Sequence, residues 1–354
     1  MERIPAMRIN FLLPDFGYKP VGGFKVVYIY ANAFAEYGHD VRIIYPAGCK
    51  RGLYNIPGWI RTILGKKQKS EWYEIDGRIS RIHTIGLHER FIPDADVTIA
   101  TAYETSLFLN RYSERKGKKY YFIQGYEIWA ASEKKVIESW KFLMRKIVIS
   151  RYLLDIGKKN GIEDITFIPN GIDLKKYRVY TDCNKRENCV AMIYSEGEIK
   201  GSVYGINAIK KLKDVLPEVR ILLFGRNKRP HDLPQWIEYY VNPEQDFIVK
   251  EIYNRARVFI CSSICEGWGL PVMEAMACGA AVVTTDCGGV RDFAFPNETA
   301  LICPVKDSDS LYQETYRLLV DSQLREQLVK NALETVKKYD WDESALKFMD
   351  VISM

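Results

Sequence analysis

Two glutamates eight positions apart flank a glycine-containing turn, and this pair is the strongest chemical feature of the sequence. The segment from Cys261 to Gly279 reads CSSICEGWGLPVMEAMACG, with the glutamates at Glu266 and Glu274. A strand-like apolar run ends at Cys261, and Pro271 stands where a helix would begin, because its missing N–H and fixed φ are harmless there. The N–H groups of the turn and of the helix N-terminus form an anion site, and carboxylates accept hydrogen bonds from hydroxyl groups. Phosphates on amides and hydroxyls on carboxylates together indicate a nucleotide sugar.

A dinucleotide-binding turn is one alternative for the same glycines. Gly267 and Gly269 lie between a predicted strand and a predicted helix, but the third glycine of that fingerprint is replaced by Val272. The two flanking glutamates also have no purpose in such a turn. We therefore favour the nucleotide sugar.

A metal site of the DxD type is a second alternative. Asp94 and Asp96 directly precede a predicted strand, and Asp307 and Asp309 stand where a helix should begin. Aspartates at such positions usually form turns and helix N-caps. We therefore predict no metal ion and no cofactor.

The elements that position these residues fall into two α/β series. In the first, strand-like segments alternate with helical patterns, and Gly22-Gly23 forms a loop before a helix from Phe24 to Tyr37. Its predicted strands are Arg8–Leu13, Val41–Tyr45, Val97–Ala100, Tyr120–Ile123, Lys146–Ser150 and Ile165–Pro169. Strands alternating with helices predict a parallel sheet covered on both faces.

The second series begins after Asn188. Its predicted strands are Val190–Tyr194, Val219–Phe224, Val258–Cys261 and Ala281–Thr284, and Ser310–Ile352 is mostly amphipathic helix. Two such series predict two doubly wound domains with a cleft between them. The boundary should fall near the turn-forming segment 169–173 or in the polar stretch 180–188.

The segment EGWGLPVMEAMACGAAVVTTDCGGVRD, residues 266–292, resembles the E-x7-E signature of family 4 glycosyltransferases. Three further segments resemble elements of that family: Val21-Gly22-Gly23, Phe167–Asp173 (FIPNGID) and Lys200-Gly201. The resemblance implies the GT-B fold, with two Rossmann-like domains facing a cleft and a final helix, about 341–354, crossing back to the first domain. The domains would be residues 1–173 with that helix, which bind the acceptor, and residues 174–340, which bind the nucleotide sugar.

The resemblance also implies an activity and the residues that carry it. The activity is retaining transfer of a hexosyl or deoxyhexosyl group from a UDP-, GDP- or dTDP-sugar to a saccharide or lipid-linked acceptor, without a metal. Glu274 would hold the ribose hydroxyls, Glu266 would contact the transferred sugar, and Lys200 would stabilise the diphosphate by its charge. The sugar and diphosphate would also meet the backbone amides of four residues: Gly267, Trp268, Gly269 and Leu270.

On the first domain, Gly22 and Gly23 would let the backbone approach the reacting centre, and Gln124 would hydrogen-bond a donor sugar hydroxyl. The sequence departs from the family pattern at two positions. Tyr194 stands where an arginine is common, and Gln124 stands where a histidine is common; Arg226 is a candidate for the missing charge. The segment FIQGYE (122–127) instead resembles a subgroup that includes rhamnan-synthesis rhamnosyltransferases. These departures leave open the alternative of a non-catalytic glycosyltransferase-like subunit that needs a partner chain. A GT-B nucleotide-sugar epimerase shares the fold and is a further alternative, although its expected histidines and acid pairs are not evident.

Composition and charge set further limits. The chain has 354 residues and a formal net charge of +6, and 27 Lys+Arg against 19 Asp+Glu in residues 1–173 make the first half basic. No apolar run is long enough for a membrane span, no signal peptide is evident, and the scattered cysteines predict a reducing, cytoplasmic location. The segment 58–69, GWIRTILGKKQK, is apolar on one side and basic on the other, which is typical of a segment lying on an anionic membrane. A surface helix covering the core is an equal alternative for this segment. We expect no nucleic-acid binding.

Overall fold

A computed structural model describes residues 5–15, 21–47 and 72–354 of the chain. The chain forms two compact units, one of residues 1–170 with 341–354 and one of residues 171–340. The continuous part of the first unit thus ends at Asn170, inside the turn-forming segment 169–173. The segment 58–69, predicted to lie on a membrane, falls outside the described residues.

The first unit is built on a seven-stranded, all-parallel sheet. In chain order its strands are β1 (Arg8–Leu12), β2 (Asp40–Pro46), β3 (Ser80–Thr84), β4 (Val97–Ala100), β5 (Lys118–Ile123), β6 (Arg145–Val148) and β7 (Ile165–Phe167). Across the sheet the order is β3-β2-β1-β4-β5-β6-β7, so the direction of winding reverses between β1 and β4. The strands are apolar because helices cover both faces of such a sheet.

The helices of the first unit include one from the far end of the described chain. They are α1 (Gly22–Glu36), α2 (Tyr103–Leu109), α3 (Glu133–Trp140), α4 (Arg151–Lys159) and α10 (Trp341–Ser353). On α10, the ring of Phe348 lies 4.9 Å from that of Tyr30 and 5.5 Å from that of Phe34, both on α1. The hydroxyl of Ser344 donates to the carbonyl of Pro169 at 2.8 Å. The prediction that the final helix returns to the first domain is therefore confirmed.

The second unit contains a six-stranded parallel sheet of order β10-β9-β8-β11-β12-β13. Its strands are β8 (Cys189–Tyr194), β9 (Arg220–Gly225), β10 (Ile237–Val241), β11 (Val258–Cys261), β12 (Ala281–Thr285) and β13 (Leu301–Cys303). Its helices are α5 (Ser202–Val215), α6 (Gln245–Phe247, continued by the π-helical turn Ile248–Tyr253), α7 (Leu270–Ala277), α8 (Ser308–Val320) and α9 (Ser322–Val336). Winding reverses between β8 and β11, which places the ends of those two strands at the ligand-binding edge of such a sheet.

The helical stretch predicted over Ser310–Ile352 is interrupted twice. Asp321 accepts a hydrogen bond from the N–H of Leu324 and caps α9, so α8 and α9 are separate helices. The segment before Trp341 then ends the second unit. Among the described residues, no helix is both long and apolar enough to cross a bilayer.

Candidate active site

Glu266 lies in the loop after β11, where it is held by the loop that follows β12. Its N–H donates to the carbonyl of Cys287 at 2.7 Å, and its own carbonyl accepts from the N–H of Gly289 at 3.0 Å. The two loops touch so closely that a Cβ on Gly289 would lie 2.2 Å from the carbonyl oxygen of Gly267. Glycine is therefore required at position 289, and the paired loops fix the backbone on which Glu266 is placed.

The Glu266 carboxylate is paired with Lys200. Lys200 Nζ lies 2.7 Å from Glu266 Oε1, and the hydroxyl of Ser263 donates to the same oxygen at 2.7 Å. Burial alone would lower the pKa of Lys200, but the charge and hydrogen bond of Glu266 outweigh it and raise that pKa above its ordinary value. Lys200 therefore remains a cation at neutral pH, ready to meet a negative group.

The residue after Lys200, Gly201, occupies a position that requires glycine. It has φ +56°, and a Cβ there would lie 2.1 Å from the carbonyl oxygen of Ser262. The turn is tied to the Glu266 loop by the N–H of Ile264, which donates to the carbonyl of Ile199 at 2.7 Å. The tight turn at Gly201 thus holds the backbone of Lys200 where its ammonium group reaches the Glu266 carboxylate.

Helix α7 begins four residues after Glu266, and the backbone that leads into it has a run of N–H groups without acceptors. Gly269 is its N-cap, with φ +94°, and Pro271 stands in the first turn. The N–H groups of residues 267–270 donate to no acceptor among the residues that the structure describes. Such unpaired donors at a helix N-terminus are suited to an anion.

The side chain of Trp268 has a separate, structural position. It is buried, with ring centroids 5.3 Å from Phe293 and 5.4 Å from Tyr339. Its indole N–H has no hydrogen-bond partner among the described residues. Only the backbone of Trp268 is therefore offered to a ligand by this arrangement.

Glu274 occupies a more enclosed position than the sequence suggests. Only 6% of it is exposed, its Oε1 accepts from the hydroxyl of Tyr177 at 2.8 Å, and its Oε2 accepts from that of Tyr253 at 3.0 Å. Burial and the nearby carboxylate raise the pKa of both tyrosines, which stay protonated donors. A ribose would therefore have to share the Glu274 carboxylate with two tyrosine hydroxyls that sequence reasoning did not identify.

Tyr194, the departure from the family pattern in the second unit, lies near Arg226. Tyr194 ends β8 and is paired in register with Gly225, the last residue of β9. Arg226 follows directly and is exposed. The structure thus places Arg226 at the same sheet edge as Tyr194. This is the position that Arg226 needs if it is to replace the charge of the missing arginine.

In the first unit, the predicted glycine loop is wrong in one respect. Gly22 is the first residue of α1, and Val21 before it is extended, so both glycines belong to the helix. A Cβ on Gly23 would lie 3.5 Å from Gln124 Oε1, and this buried oxygen has no hydrogen-bond partner among the described residues. The structure therefore places Gln124, in the segment that joins β5 to α3, against Gly23 at the start of α1.

The aspartates considered as a metal motif have structural roles. Asp94 pairs with Lys116 at 2.7 Å and with Arg115 at 2.8 Å, and Asp96 pairs with Arg8 at 2.7 Å. Asp307 accepts from the N–H groups of Asp309 and Ser310 and caps α8. The predicted capping role is confirmed for Asp307, whereas Asp94 and Asp96 form ion pairs rather than turns.

Comparison with known proteins finds similarity in the second unit. Residues 175–335 match the family model described as "Glycosyl transferases group 1". The second unit is thus similar to group 1 glycosyl transferases over these residues. Lys200, Glu266 and Glu274 all lie inside the matched range.

Two curated relatives extend the similarity. The phosphatidyl-myo-inositol mannosyltransferase of Mycolicibacterium smegmatis is 28% identical over 200 residues, which are 53% of this chain and 51% of that protein. The N,N'-diacetylbacillosaminyl-diphospho-undecaprenol alpha-1,3-N-acetylgalactosaminyltransferase of Campylobacter jejuni is 27% identical over 231 residues, 60% of each chain. The matched part thus spans about half to three-fifths of these relatives.

Solved structures share the fold over almost the whole chain. The HepE protein of Anabaena, solved in complex with UDP-glucose, has a TM-score of 0.75 at 16% identity and covers 98% of this chain and 99% of its own. Sucrose-phosphate synthase from Thermosynechococcus elongatus has a TM-score of 0.74 at 16% identity, over 97% and 98% of the two chains. The predicted GT-B class, with two Rossmann-like domains built on parallel sheets, is confirmed.

Proposed function

We propose that this protein is a retaining glycosyltransferase that moves a hexosyl or deoxyhexosyl group from a nucleotide sugar to a saccharide or lipid-linked saccharide. The second unit would bind the donor, and the first would bind the acceptor. The reaction would need no metal ion, because Lys200 and backbone amides would stabilise the negative charge of the leaving diphosphate. The product would be a surface polysaccharide or another glycan.

The observation that carries the proposal is the Lys200–Glu266 pair beside the unused amides of α7. Cleavage of the anomeric bond leaves a nucleoside diphosphate with growing negative charge. A cation whose pKa is raised and a run of free N–H groups stabilise that charge without rearranging. Glu266, four residues before the first residue of the helix, would then face the sugar rather than the phosphates.

The acceptor is proposed from the relatives. Both curated relatives are named for lipid-containing acceptors, a phosphatidyl-inositol in one and a diphospho-undecaprenol in the other. A lipid-linked saccharide would bring the chain to the inner face of a membrane from the cytoplasm. Binding of an anionic membrane through residues 58–69 stays a prediction, as does a deoxyhexosyl donor suggested by the segment 122–127.

The first experiment is isothermal titration with UDP, GDP, dTDP and ADP, in EDTA and again with magnesium. We expect one nucleotide to bind equally well in both buffers, which would name the base and support a metal-free donor site. Binding that requires magnesium would contradict the proposed mechanism.

The same titration tests the role of Lys200. Lys200→Met should weaken the preferred nucleotide about tenfold or more, because it removes the cation beside the diphosphate. Lys200→Arg keeps the charge and should recover part of the affinity. Lys211→Met is the matched control, since Lys211 pairs with Asp309 on the surface of the same unit. Equal affinity in the wild type and in Lys200→Met would remove Lys200 from the donor site.

The second candidate is a non-catalytic subunit, and the environment of Glu274 favours it. Both carboxylate oxygens already accept hydrogen bonds from buried tyrosines, so Glu274 has a structural role without any ribose. Under this alternative, none of the four nucleotides would bind the isolated chain. Tight binding of any one of them would reject it.

A further inference from the structure

We propose that the first unit holds a saccharide subsite formed by Trp129, Glu127 and Gln124, where the acceptor sugar is stacked and hydrogen-bonded. Gln124, which the resemblance assigns to the donor sugar, is here assigned to the acceptor. This inference rests on the proposed function and identifies residues that would hold its acceptor. All three side chains come from one short segment between β5 and α3.

The topology of the first sheet places this segment at a ligand-binding edge. Winding reverses between β1 and β4, and in open parallel sheets the crevice outside the carboxyl ends of such strands is where ligands bind. Helix α1 is the next described helix after β1, and α2 begins at Tyr103, shortly after β4. The segment after β5 reaches both helix starts.

Two contacts show how it reaches them. Gln124 lies against Gly23 at the start of α1, where a Cβ on the glycine would be 3.5 Å from Oε1. Glu127 lies at the start of α2, where its Oε2 accepts from the N–H of Tyr103 at 2.7 Å. The hydroxyl of Tyr121, on β5, donates to the same oxygen at 3.1 Å. The segment thus spans the crevice and points polar groups at both sides of it.

These groups have hydrogen-bonding capacity to spare. Glu127 Oε1 and Gln124 Oε1 accept no hydrogen bond from the described residues. Among the described residues, the charged neighbour of Glu127 is Glu104, on the first turn of α2, and no cation offsets the repulsion between the two carboxylates. Burial, followed by repulsion from Glu104, raises the pKa of Glu127 to about 8. A carboxyl group that keeps its proton at neutral pH can donate and accept, which matches the dual character of a sugar hydroxyl.

Trp129 supplies the apolar surface of the subsite. A Cβ on Gly125 would lie 3.0 Å from Cη2 of the indole, so this glycine lets the ring lie against the end of β5. Even so, 53% of Trp129 remains exposed. Two hydrogen-bonded turns fix the backbone around Trp129. The N–H of Ile128 donates to the carbonyl of Tyr126 at 2.8 Å, and the N–H of Ala130 donates to the carbonyl of Glu127 at 2.9 Å. An exposed, positioned aromatic ring beside a few polar groups is the usual composition of a small-ligand site, and a pyranose offers a matching C–H face.

Saturation-transfer NMR on the full chain tests the inference without any nucleotide. The probes are methyl α-D-glucopyranoside, methyl α-D-mannopyranoside and methyl α-L-rhamnopyranoside. At least one should receive saturation from the wild-type protein, and Trp129→Ala should weaken its binding about tenfold. Trp236→Ala is the matched control, because Trp236 is a 39% exposed tryptophan of the second unit and should leave binding unchanged.

A second variant tests the polar side. The affinity of the wild type for the glycoside should change across pH 8, where Glu127 ionises. The affinity of Glu127→Gln should stay constant there, because this variant has no carboxyl group at position 127. Lack of binding by all three glycosides, or equal binding to the wild type and to Trp129→Ala, would overturn the subsite. Nucleotide titration of the same samples separates the two proposals. Nucleotide binding without glycoside binding rejects the subsite alone, and glycoside binding without nucleotide binding rejects the donor site alone.

Discussion

Two part-buried carboxylates of this protein meet opposite neighbours. Glu266 lies 2.7 Å from the ammonium group of Lys200, whereas Glu127 has the carboxylate of Glu104 nearby and two uncharged donors on one oxygen. An ion pair keeps the charge in place, and an uncompensated carboxyl in low dielectric takes up a proton instead. The same residue type therefore offers a fixed ion pair in one unit and a neutral, hydrogen-bonding acid in the other.

The pKa of Glu127 makes a prediction about stability. The folded protein holds this proton up to about pH 8, whereas the unfolded chain releases it near the ordinary value of 4.5. Between these values the native state binds more protons, so the free energy of unfolding falls as the pH rises. Glu127→Gln removes this effect, and its stability relative to the wild type should rise by on the order of 1 kcal/mol per pH unit across the window.

Urea unfolding from pH 4 to pH 9, followed by circular dichroism, measures the difference. Glu138→Gln is the control, because Glu138 is exposed on α3 and should run parallel to the wild type. A difference between Glu127→Gln and the wild type that stays constant with pH would show that Glu127 ionises normally.

At this scale the sequence identifies residues better than it identifies their partners. The resemblance named Lys200, Glu266 and Glu274, but not the direct contact of the first two. Tyr177 and Tyr253 stand 97 and 21 positions from Glu274, and only the folded chain brings their hydroxyls to its carboxylate. Nothing in the local pattern around either tyrosine distinguishes it from an ordinary core residue.

At the scale of elements, three strands escape the sequence patterns, and all three are edge strands. They are β3, β10 and β13, at the ends of the two sheets. Edge strands are covered less completely, so β3 and β10 lack the continuous apolar run of a central strand, whereas β13 is apolar but only three residues long. In β3, for example, Arg81 and His83 interrupt the pattern. The central strands that carry the site were all predicted.

The turn before α5 carries a testable requirement. Gly201→Ala should lower the free energy of unfolding by about 2 kcal/mol, because φ +56° strains an L-residue and the new Cβ would meet the Ser262 carbonyl. The shift needed to relieve that contact would move Lys200 away from Glu266, so nucleotide affinity should fall as well. Thermal unfolding and calorimetric titration of the same variant measure both effects.

Gly197→Ala provides the comparison within the same turn. Gly197 has φ −66°, and a Cβ there would meet only the Ser195 hydroxyl, at 3.6 Å. Its stability and nucleotide affinity should stay close to those of the wild type. If the two alanine variants behaved alike, the close approach at Gly201 would not be what positions Lys200.

On the scale of the whole molecule, the first unit is discontinuous along the chain. The family resemblance predicted this, and periodicity alone did not, because an amphipathic helix does not reveal which unit it covers. The apolar face of α10 is buried on α1 and β5, where Phe348 meets Tyr30, Phe34 and Phe122.

Removal of that ring should destabilise the first unit selectively. Phe348→Ala deletes a fully buried phenyl group and should cost about 3–5 kcal/mol. Hydrogen exchange followed by mass spectrometry should show faster exchange in peptides of α1, β5 and α10, while peptides of the second unit keep their protection.

Leu346→Ala, on the same helix, is the appropriate control. Leu346 is 47% exposed, and its truncation should leave exchange nearly unchanged. Uniform loss of protection across both units in Phe348→Ala would mean that the two units unfold as one.

The return of α10 also dictates an order of events at the ribosome. Residues 171–340 form a continuous unit that can fold as soon as it has emerged, whereas the aromatic face of α1 waits uncovered until Phe348 is synthesised. During that interval the nascent chain exposes the rings of Tyr30 and Phe34 to solvent. A chain that ended before residue 341 would therefore have a complete second unit and an incomplete first one, with the aromatic face of α1 exposed.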